Sequence, residues 1–253
     1  MTPEDLAEAG LRYDVSGAVA TLTLSRPEVR NAQTPAMWHA LAAIGEDVPD
    51  DVRVVVVRGE GQSFSAGLDR SMMGSLLGLL AGSDEEISAT VDRYQQGFTW
   101  LRDPRFVSIA VVQGHAIGAG FQLALACDLR VVGEDARFCM KEPALGLVPD
   151  LTGTKPLVEM VGYPRALEIC ATSRVVGGAE ALEIGLATVV CPVPEFDAVL
   201  ADLVGALTAP MAGAVRETKA LLLSAPGCSL EDQRRLEREA QVRRFRELAA
   251  TKG

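Results

Sequence analysis

The amino-acid sequence predicts an α/β fold whose buried parallel strands are joined by helical crossovers. Three observations carry this. Strand-like and helix-like segments recur as strand–strand–helix units along the first 150 residues. The run "VVVV" at 54–57 leaves no polar face, as expected of a strand covered on both sides. After about residue 152 the strand signal nearly vanishes, and apolar residues recur at helical spacing instead.

Taken in order, "YDVSGAVATLTLSRP" alternates around a glycine and predicts a β-hairpin ending at Pro27. "TPAMWHALAAIGEDV" predicts a helix with Thr34 as N-cap and Pro35 at its first position. "VRVVVVRGEG" predicts a strand closed by glycines, residues 84–103 a helix, and "FVSIAVVQG" the next strand. A further helix is expected from about Ala119, and short strands in "LRVVGEDARFCM". Beyond these, helices are expected at 163–173, 178–186, 195–208, 210–224 and 229–248, with "ATVVCPV" the one remaining strand. The shift divides the chain into a core at 1–195 and a helical region at 196–253.

At 253 residues and 48% hydrophobic, the chain can bury a substantial core. Its net charge of −10 and pI near 4.8 argue against a nucleic-acid or membrane-surface binder, both of which need a positive face. An anionic small molecule still fits if arginines meet it locally. Five scattered cysteines without a C-x-x-C pair suit a reduced compartment. The acidic start "MTPEDLAEAGLRYD" lacks the pattern of a signal peptide, so a cytoplasmic location is expected. Val107 to Cys127 contains no Asp, Glu, Lys or Arg and is long enough to span a bilayer. Gln113, His115, Gln122 and three glycines interrupt it, and a buried strand, turn and helix explain it better.

The familiar catalytic sets are thin. The two histidines, His39 and His115, are far apart, and no His/Cys/Asp/Glu group has metal-ligand spacing, so no metal is expected. "GTK" at 153–155 lacks the order of a phosphate loop. Ser65, His115 and Asp128 could form a hydrolase set, but no G-x-S-x-G turn presents the serine. Two glycine-bearing loops remain, "GEGQSFSAGLD" at 59–69 and "GHAIGAGFQ" at 114–122, each following a strand. Such loops can aim backbone N–H groups into one crevice, and the positive end of the helix near Ala119 adds to them.

"SRPEVRNA", "FSAGLD", "GHAIGAGFQLALACDLRVV", "DARFCMKEPALGLVPDLTGT" and "EALEIGLATVVCPV" occur in an order that resembles the enoyl-CoA hydratase/isomerase (crotonase) superfamily, from about residue 12 to 224. The resemblance implies a crotonase-type spiral of ββα units with a helical C-terminal trimerisation region. It implies a homotrimer or dimer of trimers and an acyl-CoA ligand that carries its own coenzyme, with no separate cofactor. By the same resemblance, the N–H groups of Leu68 and Ala119 form an oxyanion hole for a thioester enolate. Contacts to the CoA and acyl parts fall on Arg26, Arg30, Ala32, Ala66, Gly67, Asp69, Arg70 and Gly118, although Asp69 suits fixing its own loop better than chemistry.

The catalytic positions carry departures. Hydratases of this family use two glutamates; the second falls on Glu142 and the first on Gln122. A neutral amide cannot act as a general base, whereas moving a double bond needs only one base that lifts a proton and returns it elsewhere. Isomerisation by Glu142 is therefore the expected reaction, with hydration or silent acyl-CoA binding as alternatives. "PDLTGT" replaces the family's P-G-A-G-G-T and places Asp150 eight residues after Glu142, as in dienoyl-CoA isomerases. Asp150 also suits an N-cap for a helix starting near Leu151. "SMMGSLLGLLAG" is expected to line an acyl tunnel or a buried subunit contact. The terminal "REAQVRRFRELAATKG" lacks the family's aromatic–Lys–Arg–Pro–aromatic signature, which leaves CoA contacts from the tail open.

Overall fold

A computed structural model describes residues 1–72, 74, 78 and 81–250; half of the "SMMGSLLGLLAG" segment lies outside the described residues. The hairpin forms as expected, with β1 (Leu11–Ser16) antiparallel to β2 (Val19–Leu24) and Gly17 at φ 56° in the turn. It is preceded by a short helix that the sequence reading lacks, α1 (Pro3–Glu8), capped by Thr2. Thr34 accepts from the Met37 N–H at 3.2 Å and starts α2 (Pro35–Glu46). β3 (Val54–Gly59), α3 (Asp84–Thr99), β4 (Val107–Val112), β5 (His115–Ile117) and α4 (Ala119–Ala126) follow.

Next come β6 (Leu129–Gly133), β7 (Arg137–Cys139), α5 (Thr154–Val161), α6 (Tyr163–Thr172) and β8 (Val176–Gly177). The chain ends through α7 (Gly178–Glu183), β9 (Val189–Cys191), α8 (Phe196–Thr208), α9 (Ala212–Ser224) and α10 (Leu230–Ala250).

Six strands form one sheet in the order β1-β2-β3-β4-β6-β9, parallel throughout except for the opening hairpin. A second sheet, β5-β7-β8, lies beside it. The apolar run at 54–57 is explained by the pleat: Val55 and Val57 join the main core, while Val54 and Val56 face Phe196 and Leu200 of α8. β4 repeats this, with Ala110 and Val112 on one side and Ile109 and Val111 on the other. Each fully buried valine or isoleucine contributes about 1.5–3 kcal/mol relative to exposure. Among the described residues no single helix is long and apolar enough to cross a membrane, and the 107–127 stretch is strand, strand and helix.

The helical C-terminal region is clamped onto the core by a buried cation. Lys219 of α9 donates to Asp103 O, Phe106 O and Asp128 Oδ2, each at 2.7 Å, and lies over the Phe106 ring. Arg130 donates to Ala124 O and Cys127 O at the far end of α4, a favourable place for a cation against the helix dipole. Burial nonetheless lowers its pKa to about 10.

Candidate active site

The two glycine-bearing loops are joined by a parallel bridge at the roots of the site. Ser65 N–H donates to His115 O at 2.8 Å, and Ile117 N–H donates to Ser65 O at 3.0 Å. The loop after the hairpin is tied in as well: Gln33 N–H donates to Gly67 O, and Asp69 N–H to Gln33 O. These bonds leave Leu68 N–H and Ala119 N–H without an acceptor among the described residues. Gly67 brings them together. A β-carbon there would stand 2.4 Å from Ile117 O and 3.6 Å from the Ala119 nitrogen, and the residue holds φ 85°. Ala119 is also the first residue of α4, so its N–H lies at the positive end of that helix.

The general-base candidate faces the same turn. Glu142 opens a short 3-10 helix after β7, and its half-buried carboxyl packs on Gly118. A β-carbon on Gly118 would lie 3.1 Å from Glu142 Oε1 and 3.7 Å from Oε2. Burial pushes the Glu142 carboxyl above the ordinary glutamate range and nearby Asp150 adds to this, against a hydrogen bond from Gln122 and others from the backbone. Oε1 accepts from Gln122 Nε2 at 2.8 Å, whereas buried Oε2 has no partner.

Gln122, fully buried on α4, explains the amide at this position. Its Nε2 donates to Glu142, while its Oε1 accepts from Leu151 N–H at 2.8 Å and Gly153 N–H at 3.2 Å. An ionised carboxylate could accept the two N–H bonds but would oppose Glu142, and a methionine could do neither. The receiving turn is built for this: Thr152 takes φ 69°, and a β-carbon on Gly153 would stand 2.7 Å from Gln122 Cγ. Leu151, Thr152 and Gly153 were not singled out from the sequence; the glycine of "PDLTGT" was the available signal.

Asp150 is not a helix cap. The helix begins at Thr154 with Gly153 as its N-cap residue, because the intervening turn serves Gln122. The Asp150 side chain is partly open to solvent, yet desolvation by its surroundings raises its carboxyl, and its main-chain carbonyl accepts from Gln95 Nε2 at 2.7 Å.

The remaining sequence-derived residues divide. Arg26 donates to Asp69 Oδ2 at 2.9 Å and to Ala32 O at 2.7 Å, so its guanidinium ties two loops together. Asp69 is held well below the usual carboxylate range, chiefly by hydrogen bonds from Ser71 and then by Arg26, consistent with fixing its loop. Ala32 and Ala66 stand on the same two loops, Ala66 N–H donating to Arg30 O. Arg30 and Arg70 are exposed and form no ion pair among the described residues. Arg30, at φ 53°, lines an open cleft of about 910 Å³ with Gln62, His115 and Arg137; Leu68, Ala119 and Glu142 are not among the lining residues. The side chains of Ser65, His115 and Asp128 form no set with one another. Ser65 Oγ donates to Asn31 O, His115 Nδ1 pairs with Ser63 Oγ at 3.1 Å, and Asp128 pairs with Lys219.

Comparison with known proteins identifies the family. Residues 14–253 match the family described as enoyl-CoA hydratase/isomerase. A crystal structure of a Thermobifida fusca YX protein titled "a putative enoyl-CoA hydratase", in complex with acetoacetyl-CoA, superposes with TM-score 0.94 at 50% identity, covering 97% of this chain and 98% of that one. The peroxisomal Delta(3,5)-Delta(2,4)-dienoyl-CoA isomerase of Arabidopsis thaliana is 30% identical over 232 residues, 87% of this chain and 83% of its own. The 2,3-dehydroadipyl-CoA hydratase of Escherichia coli (strain K12) is 34% identical over 178 residues, 69% of this chain and 66% of its own. The chain is an enzyme with the crotonase fold and belongs to the enoyl-CoA hydratase/isomerase family.

Proposed function

We propose that this enzyme binds an acyl-CoA thioester and moves a carbon–carbon double bond along its acyl chain, with Glu142 as the proton carrier. The thioester oxygen lies between Leu68 N–H and Ala119 N–H. Ionised Glu142 takes a proton from the carbon beside the thioester carbonyl of a 3-enoyl-CoA. The electron pair delocalises onto the oxygen as a dienolate, which the two N–H groups and the end of α4 stabilise. The same carboxyl then returns the proton to the fourth carbon, so the double bond moves from the third to the second and no water is consumed. Exposed Arg30 and Arg70 meet anionic phosphates of the coenzyme, whereas Arg26 acts through its loop.

One observation carries the preference for isomerisation over hydration. Both ends of the Gln122 amide are engaged, Oε1 by two N–H groups and Nε2 by Glu142. It therefore has no free acceptor with which to activate a water. The ligand class is supported by the structural relatives in complex with acetoacetyl-CoA and with CoA.

The second reading is a dienoyl-CoA isomerase in which Glu142 and Asp150 exchange protons across a longer conjugated system. The electrostatic influence of Asp150 on Glu142 and the likeness to the Arabidopsis isomerase favour it. Separate incubations with 2-enoyl-, 3-enoyl- and dienoyl-CoA, with products identified by mass spectrometry, test both. Conversion of 3-enoyl- to 2-enoyl-CoA without a gain of 18 mass units supports the first reading. Selective conversion of the dienoyl substrate, lost in Asp150→Asn, supports the second. Efficient hydration of 2-enoyl-CoA refutes both.

A further inference from the structure

We propose that Gln122 is a positioning residue that confines the mobile proton of Glu142 to Oε2. The inference rests on the proposed role of Glu142 but concerns a different residue, one sealed from solvent.

The amide cannot flip, because a flipped group would turn its NH₂ toward two backbone N–H donors and its oxygen toward a carboxylate oxygen. Glu142 Oε1 therefore always faces an N–H. It can accept that bond whether the carboxyl is ionised or neutral, but it cannot carry a proton along the same line. Oε2 is the oxygen without a protein partner, so the proton leaves and returns there.

Among the other groups acting on this carboxyl, the backbone N–H groups of Glu142 and Lys141 favour its ionised form and Asp150 opposes it through its charge, but none of them hydrogen-bonds Oε2. The Cys139 and Cys170 thiols are themselves raised by burial, with Glu142 adding to the effect. The orientation is locked from the far side: Gly153 packs against the Gln122 stem, and Leu151, whose N–H completes the clamp, is buried.

Two substitutions separate this role from simple packing. Gln122→Met keeps the volume and removes all three bonds. Gln122→Glu restores them only while the new carboxyl is protonated: its C=O then accepts from Leu151 and Gly153, and its O–H donates to Glu142 Oε1. The first readout needs no substrate. Carbon-13 NMR of labelled glutamate carboxyls, with Glu142 assigned through Glu142→Gln, follows its titration in the folded protein.

The proposal expects Gln122→Met to titrate at higher pH than the parent, because a bond to the charged form is lost. It expects Gln122→Glu to titrate as a coupled pair in two separated steps. In turnover, Gln122→Met should lose roughly 10- to 100-fold in kcat, the loss expected for a hydrogen bond to a charged group, with KM little changed. Gln122→Glu should be active in a band of pH and fall off as the second carboxyl ionises, where the parent stays on its plateau.

A Glu142 titration unmoved by either substitution overturns the proposal, whether or not any substrate turns over. Parallel pH–rate profiles for Gln122→Glu and the parent overturn it too. If the titrations shift as expected but the parent moves no proton on any acyl-CoA, the placement of the proton stands and the proposed reaction falls.

Discussion

Replacing Gly118 by alanine tests how closely the base and the oxyanion loop are built together. The residue holds φ 53° and ψ −119°, where an L side chain is strained, at a cost of about 1–3 kcal/mol. The added methyl would lie 3.1 Å from Glu142 Oε1, so the carboxyl must retreat by about 0.3 Å to reach ordinary contact at 3.4 Å. The retreat is constrained because Gln122 holds the same oxygen at 2.8 Å. Misplacement of a reacting group by ~1 Å can cost ~100-fold in rate, so a shift of about 0.3 Å predicts roughly a fourfold loss in kcat. The retained Leu68 N–H should keep KM within a few-fold. Urea unfolding should show the midpoint falling by the equivalent of about 1–3 kcal/mol with an unchanged slope. A stable variant with parental kcat would refute the placement of Glu142 against this glycine.

Four further outcomes follow from the structure. Proton removal needs ionised Glu142, so kcat/KM should fall as pH drops through a value above the ordinary glutamate range; Asp150→Asn should move that limb to lower pH by removing a like charge. Because the folded-state carboxyl is raised, folded protein binds more protons than unfolded between the two pKa values, and stability falls as pH rises through that window. Glu142→Gln should therefore be more stable than the parent at neutral pH, measured by thermal unfolding. Lys219→Met should lose about 3–5 kcal/mol in chemical denaturation, because it strands Asp128 and two backbone carbonyls that a buried ammonium now satisfies. Sedimentation should find an assembly rather than a monomer, since Leu145, Leu147 and Val148, just after Glu142, are each more than half exposed, as are Leu222 and Leu230 on the C-terminal helices.

The architecture was largely legible because its signals are local. The Thr34–Pro35 cap, the Gly17 hairpin turn and the unbroken valines at 54–57 each record one structural demand in adjacent residues. The site was legible only in part. Leu68, Ala119 and Glu142 stand on recognisable loops, but the clamp on Gln122 spans 20 residues to Glu142 and 29 to Leu151, beyond any spacing argument. For the same reason Asp150 resembled a helix cap: its residue type fits, and only the turn behind it shows that the helix starts at Thr154. Arg26 reads as a free cation until its partner Asp69, 43 residues away, is placed beside it.

The claim at the centre of this account is that Glu142 moves a proton at the carbon beside the thioester. Incubating the protein with 3-enoyl-CoA in deuterated water, and following label at that carbon and at the fourth carbon by mass spectrometry, tests it most directly. The account predicts deuterium incorporation alongside double-bond movement in the parent, with both lost at least ~100-fold in folded Glu142→Gln. Incorporation at an undiminished rate in that variant would contradict it and assign the proton to another group.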